Sequence, residues 1–239
     1  EDSSGHYQAF VDDQVAGTWR AAIEVPGSGA LNKAGIAGVI SLSCSSAGNC
    51  SAGGDYKDGS GRSQAFVVNE VAGTWGAAVE VPGSAALDKA GNAQFYTLSC
   101  SSAGNCSAAG SYNVSSHHSQ VFVDDEVGGT WKAAIEVPGS AALNKGGFAQ
   151  VISISCASAG SCSAGGAYRD GAGHSQAFVD NEVGGTWKTA IEVPGSAALN
   201  KGGLARVYSL SCPSAGNCSA GGFYEDGAGH SQAFVANES

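Results

Sequence analysis

Four tryptophans stand 56 residues apart, at Trp19, Trp75, Trp131 and Trp187. Pro26, Pro82, Pro138 and Pro194 keep the same interval, as do the cysteine pairs Cys44/Cys50, Cys100/Cys106, Cys156/Cys162 and Cys212/Cys218. A fixed period of this length is the signature of stacked structural repeats, and it restricts the fold more than any other feature of the 239-residue chain. The units are residues 5–60, 61–116, 117–172 and 173–228, with a partial copy at 229–239. Together they form one domain, because a lone unit cannot bury both of its faces.

Each unit holds four strand-like segments. In Trp19-Arg-Ala-Ala-Ile-Glu-Val, the residues Trp19, Ala21, Ile23 and Val25 fall on one face, and Arg20, Ala22 and Glu24 on the other. This period of two predicts a half-buried strand. The other segments are Ser63-Gln-Ala-Phe-Val-Val, with copies at Ser119, Ser175 and Ser231; Val39-Ile-Ser-Leu-Ser-Cys; and Cys50-Ser-Ala-Gly-Gly-Asp-Tyr. Turn formers separate them, including Asp58-Gly59, Asp170-Gly171 and Asp226-Gly227, which are hairpin signals. No segment sustains a 3.6 period, so helix is expected to be scarce. The pattern predicts an all-β fold: a four-bladed β-propeller of four-stranded antiparallel blades, with one disulfide per blade. A two-sheet sandwich would explain the strands but not the near identity of the units.

The ends complicate this picture. A closed ring needs one Gln-Ala-Phe-Val strand at its seam, and the chain carries two, at Gln8 and Gln232. The surplus strand is expected to hang free, to swap into a neighbour and so build an oligomer, or to belong to a longer array. The start in mid-repeat, where Glu1-Asp2 matches Glu225-Asp226, and the lack of Met point to a processed or partial product.

The net charge is -10 and only 13% of residues are charged. An acidic chain with no basic patch repels phosphate backbones, which excludes nucleic acid as the expected partner and disfavours anionic membranes. No apolar run approaches the roughly 18 residues of a membrane span, and no signal peptide is visible. Within each cysteine pair the partners flank a Gly-containing turn. Four local disulfides are expected, each contributing about 2 kcal/mol in the chain-entropy model. Structural zinc gathers two pairs in one place, whereas these pairs lie in different blades, so no metal or cofactor is expected. Disulfides place the chain outside the reducing cytosol, as a secreted or cell-surface protein.

Two strings resemble known families. The Gly-Gly-Thr-Trp corner after Asp124-Asp125, and again after Asp180, resembles the Asp-box hairpin of sialidase-like propellers. That motif sets Ser or Thr, then Asp, then Gly at fixed spacing; Asp12-Asp13-Gln-Val-Ala-Gly-Thr-Trp only approximates it. The string Ser-Cys-Ala-Ser-Ala-Gly-Ser-Cys at Ser155 to Cys162, varied at Ser99 to Cys106 and Ser211 to Cys218, resembles the units of secreted actinobacterial repeat proteins. The likeness covers essentially the whole chain. It implies a bacterial, extracellular propeller and no particular chemistry.

No catalytic residue is assigned. Sialidase chemistry would need an arginine cluster, but Arg20, Arg62, Arg169 and Arg206 occupy different repeat positions. Glu24, Glu80, Glu136 and Glu192 are equivalent copies, which argues against one catalytic pair. The tryptophans are read as core. With the Val39 segment as the first strand and the Trp segment as the fourth, the turn holding His118, His174 and His230 shares a face with the Pro-Gly-Ser-Ala-Ala-Leu-Asn-Lys connection. Candidate ligand-binding residues there are Asn32, Lys33, Asn144, Lys145, Asn200 and Lys201, the three histidines, and Tyr56, Tyr112, Tyr168 and Tyr224, whose rings are expected to reach the rim. Aromatic, amide and charged donors together suit sugars, and repeated pockets suit avidity. The expected function is a secreted, multivalent, lectin-like module binding glycans or cell-surface polymers. The alternatives are a structural or adhesion propeller with protein partners and a polysaccharide-acting hydrolase or lyase. The last requires one repeat to break the symmetry chemically; the second departs most, with Arg62 for His and Asn113-Val-Ser for the Asp-Gly turn.

Overall fold

The structure, a computed structural model, describes residues 3–238; Glu1, Asp2 and Ser239 lie outside the described residues. The amino-terminal segment supplies short strands β1 (Phe10–Val11), β2 (Gln14–Val15), β3 (Thr18–Trp19) and β4 (Ile23–Glu24), followed by the one-turn helix α1 (Ser28–Leu31). The first complete blade comprises β5 (Ala37–Ser46), β6 (Asn49–Lys57), β7 (Ser63–Val71), β8 (Thr74–Trp75) and β9 (Val79–Glu80), and leads into α2 (Ser84–Leu87). The second repeats it as β10 (Gln94–Ser102), β11 (Asn105–Ser115), β12 (His118–Val127), β13 (Thr130–Trp131), β14 (Ile135–Glu136) and α3 (Ser140–Leu143). The third is β15 (Ala149–Ser158), β16 (Ser161–Arg169), β17 (Ser175–Asn181), β18 (Ile191–Glu192) and α4 (Ser196–Leu199). The last sheet is β19 (Ala205–Ser214), β20 (Asn217–Glu225) and β21 (Ser231–Asn237).

All strand pairs in these ladders are antiparallel, in the expected order of Val39 segment, Cys50 segment and Ser63 segment. Asp58, Asp170 and Asp226 cap the second turn by accepting backbone N–H groups two and four residues on. All four disulfides form across the first turn. Cys44 lies directly opposite Cys50, so each bridge pins the register of its hairpin. Gly54, Gly110, Gly166 and Gly222 are required by contact: a Cβ at Gly166 would sit 2.0 Å from the Gln150 carbonyl oxygen.

The blades stack through their first strands, β5 on β10, β10 on β15 and β15 on β19. Ala65 and Val67 of the first blade meet Phe95, Leu98 and Phe122 of the second. Val121 and Val123 of the second meet Val151, Ile154 and Phe178 of the third. Each phenylalanine buried this way contributes about 1.5–3 kcal/mol, so packing between units adds to what each disulfide-pinned hairpin supplies. Three of the four tryptophans join the same seams, whereas Trp19 is 64% exposed. Trp75 donates its indole N–H to Asp13 of the preceding segment, Trp131 to Asn69 and Trp187 to Asp125.

Three expectations need correction or completion. The fourth strand is broken rather than continuous. Trp75, Ala78 and Val81 are buried, whereas Val79, which simple alternation puts beside Trp75, is 46% exposed. The cause is a distant partner: the Ala78 N–H bonds to the Pro26 carbonyl of the preceding connection at 2.7 Å and re-phases the strand. The Pro-Gly-Ser-Ala-Ala-Leu connections carry one helical turn each, started by a left-handed glycine such as Gly27 (φ 79°). Finally, both Gln-Ala-Phe-Val copies are used. The first lies in β1 and packs on the first blade, and the second is β21, paired with β20. The last sheet packs on the third blade. In this last sheet Val235 is 76% exposed where Val67 and Val123 are fully buried.

Candidate functional site

The predicted face exists, and its two elements meet. The Ser119 N–H bonds to the Gly147 carbonyl at 3.0 Å, and the Ser175 N–H to that of Gly203 at 2.9 Å. His118 and His174 pack over the same glycines, close enough to crowd a Cβ placed there. Lys33, Lys145 and Lys201 lie over Gly59, Gly171 and Gly227 of the next blade's turn. Three junctions thus gather a histidine or its turn, a lysine and an Asp-Gly turn, whereas the junction after the first complete blade carries Arg62 in the histidine's place and Asn113-Val-Ser in place of the Asp-Gly turn. The lysines, His174 and His230 are exposed, and His118 is half-buried.

The other predicted residues are committed to the scaffold. Asn32, Asn144 and Asn200 are buried. Asn144 donates to the Ser119 carbonyl at 2.8 Å and to Gln120 Oε1 at 3.2 Å; Asn200 does the same with Ser175 and Gln176, and Asn32 with Tyr7 and Gln8. Tyr56, Tyr112 and Tyr168 are buried as well. Their side chains share the parity of the apolar residues that pack on the preceding blade, so the rings turn inward from the rim. Their hydroxyls donate to Glu80, Glu136 and Glu192. Burial, then these carboxylates, raises all three phenol pKa values. The repeated glutamates are therefore acceptors in a structural pair. Tyr224 is half-buried in the last sheet.

The opposite, disulfide-bearing end holds polar groups that its turns do not announce. Glu126 is buried and accepts from Asn69 of the preceding blade at 2.5 Å. Glu182 takes the equivalent place but faces Asp125, and burial followed by that carboxylate raises it to about 7. These sites recur with the repeat and line the inter-blade clefts beside the cystines.

A further cluster breaks the repeat. Asp55 of the first blade accepts the Phe95 N–H of the second at 2.6 Å. Next to it, Tyr96 Oη donates to Gln94 Oε1 at 2.9 Å and accepts from Ser111 Oγ at 3.1 Å. Burial holds Asp55 at about 6, against the lowering effect of the Phe95 N–H and Lys57. The members of this set do not recur together in the other units. Its signal is the position-by-position difference between units.

The fold is all-β: a stack of repeated antiparallel sheets, each pinned by its own disulfide. No known family model matches the chain, and no curated protein matches it. Among solved structures it is similar to a thermostable family-43 glycoside hydrolase, with a TM-score of 0.38 and 13% identity over 84% of this chain and 70% of that one. A likeness of that size transfers neither fold nor function. Four disulfides are formed, and no helix among the described residues is long and apolar enough to cross a membrane.

Proposed function

We propose that this chain is a secreted carbohydrate-binding module that presents sites at successive blade junctions. The supporting observation is the recurrence of one rim at three junctions, in which the lysine stays exposed, the histidine exposed or half-buried, and the buried Asn-Gln clamp of Asn32, Asn144 or Asn200 holds the two loops together. A rigid, weakly charged rim loses little entropy on binding a hydroxyl-rich ligand, and copies at a fixed spacing raise avidity on a polymer. The disulfides favour an oxidising, extracellular setting. A glycan array spanning bacterial, plant and animal structures tests the reading. Saturable binding supports it, and no binding to any class rejects it.

The hydrolase alternative is favoured by one observation: Asp55 is a carboxyl present in a single repeat and held at about 6 by burial. Glycoside hydrolysis uses a second carboxyl across the scissile bond. Release of reducing sugar from a polysaccharide that the array identifies, abolished in Asp55→Asn, would establish that alternative in place of simple binding.

A further inference from the structure

Superposing the repeats shows where they differ. Several exposed positions repeat unchanged: Thr18, Thr74, Thr130 and Thr186 are all exposed and identical, as are Ala47, Ala103, Ala159 and Ala215. Drift would reach such positions first. Among the positions that do differ, one facing set lies on the first hairpin of each blade. Gly38 becomes Gln94, Gln150 and Arg206, while directly across the hairpin Asp55 becomes Ser111, Ala167 and Phe223. Ile40 becomes Tyr96, Ile152 and Tyr208, and in every blade this residue stands at a bulge, opposite no partner. A bulge re-aims a side chain at little cost to the ladder. The scaffold therefore tolerates several residues at these positions, and their identity is free to serve a ligand.

The set between the first two complete blades has a definite chemistry. One Asp55 oxygen and the Tyr96 hydroxyl are engaged within the cluster. The second Asp55 oxygen, the Gln94 amide N–H groups and the Tyr96 ring remain for a ligand. Lys57 lies near enough to favour the ionised Asp55, so the site is close to neutral overall. A carboxylate and an amide read adjacent hydroxyls, and a half-buried aromatic ring covers a sugar's C–H face. We propose that Asp55, Gln94, Tyr96 and Ser111 form a binding site for a neutral saccharide unit, distinct from the repeated rims. This rests on the carbohydrate-binding reading and names the ligand class within it. An acidic sugar would place its charge against Asp55.

The repeats themselves supply variants that fold. Tyr96→Ile installs the residue found at the same bulge as Ile40 and Ile152, and Asp55→Ala installs that of Ala167. Calorimetric titration of the full chain and both variants with cellohexaose, xylohexaose, mannohexaose and an oligogalacturonate tests the site. The expected result is binding of a neutral oligosaccharide by the parent and at least a tenfold loss in Tyr96→Ile, with melting temperature unchanged. Full affinity in both variants, or preference for the oligogalacturonate, overturns this site while leaving the rim reading intact. No binding of any probe by the parent overturns both.

Discussion

Replacing Asp124 with valine should stabilise this protein, and by more as the pH rises. Asp124 lies on β12 between Phe122 and Glu126, both of which contact the preceding blade. Both of its carboxyl oxygens are buried without a hydrogen-bond partner. The equivalent residue one repeat earlier is Val68, buried in an apolar cluster. Burial first, then the neighbouring Asp125 and Glu126 carboxylates, raises Asp124 from 3.8 to about 8, against the opposing effects of the nearby Asp125 backbone N–H and of Lys132. The folded chain therefore keeps a proton that the unfolded chain releases above pH 3.8. The contribution is fully present below that value and is lost as pH rises through about 8, at roughly 1.36 kcal/mol per unit. Asp124→Val removes this dependence together with the missing hydrogen bonds. Urea unfolding at pH 5 and pH 8 should show the variant above the parent, with the gap widening by about 4 kcal/mol between them and unchanged m-values. A gap that does not change with pH, or a variant weaker than the parent at pH 8, would refute the reasoning.

Further outcomes follow from the same comparison of repeats. Asp88 stands where Asn32, Asn144 and Asn200 clamp the preceding glutamine, and both Asp88 Oδ2 and Gln64 Oε1 are left without a partner; Asp88→Asn should gain about 1–2 kcal/mol in urea unfolding, and no gain would contradict the clamp. Asp125→Asn copies the Asn69–Glu126 pairing and keeps an acceptor for Trp187. It should lower the Glu182 pKa from about 7 towards the usual range, read by carboxyl NMR titration, and should flatten the loss of stability between about pH 4.5 and 7; an unmoved Glu182 would count against the pairing. Gly166→Ala drives a Cβ into the Gln150 carbonyl and should cost at least about 2 kcal/mol in the same unfolding assay, whereas a neutral result would mean the hairpin yields freely.

Strand order, the Asp-capped turns and the disulfides were legible because neighbours in sequence decide them. The broken fourth strand was not, since the Ala78 bond to Pro26 comes from another blade. For the same reason the tyrosines read as rim residues: Tyr112 follows a strand towards a turn, and only the preceding blade's packing shows it buried. The meeting of histidine turn and lysine loop was foreseen correctly, because strand order alone sets which loops share a face. The Asp55–Tyr96 cluster is not part of the 56-residue period, so the period does not reveal it. The differences between units mark its positions in the sequence, and the packing of one blade on the next brings them together.

The central claim is that blade junctions bind carbohydrate. Calorimetric titration of the intact chain with the strongest oligosaccharide from the array tests it most directly. The account predicts a saturable isotherm with more than one site per chain, its tightest component absent from Tyr96→Ile. Flat heats at millimolar ligand, or a single site indifferent to that substitution, would contradict it.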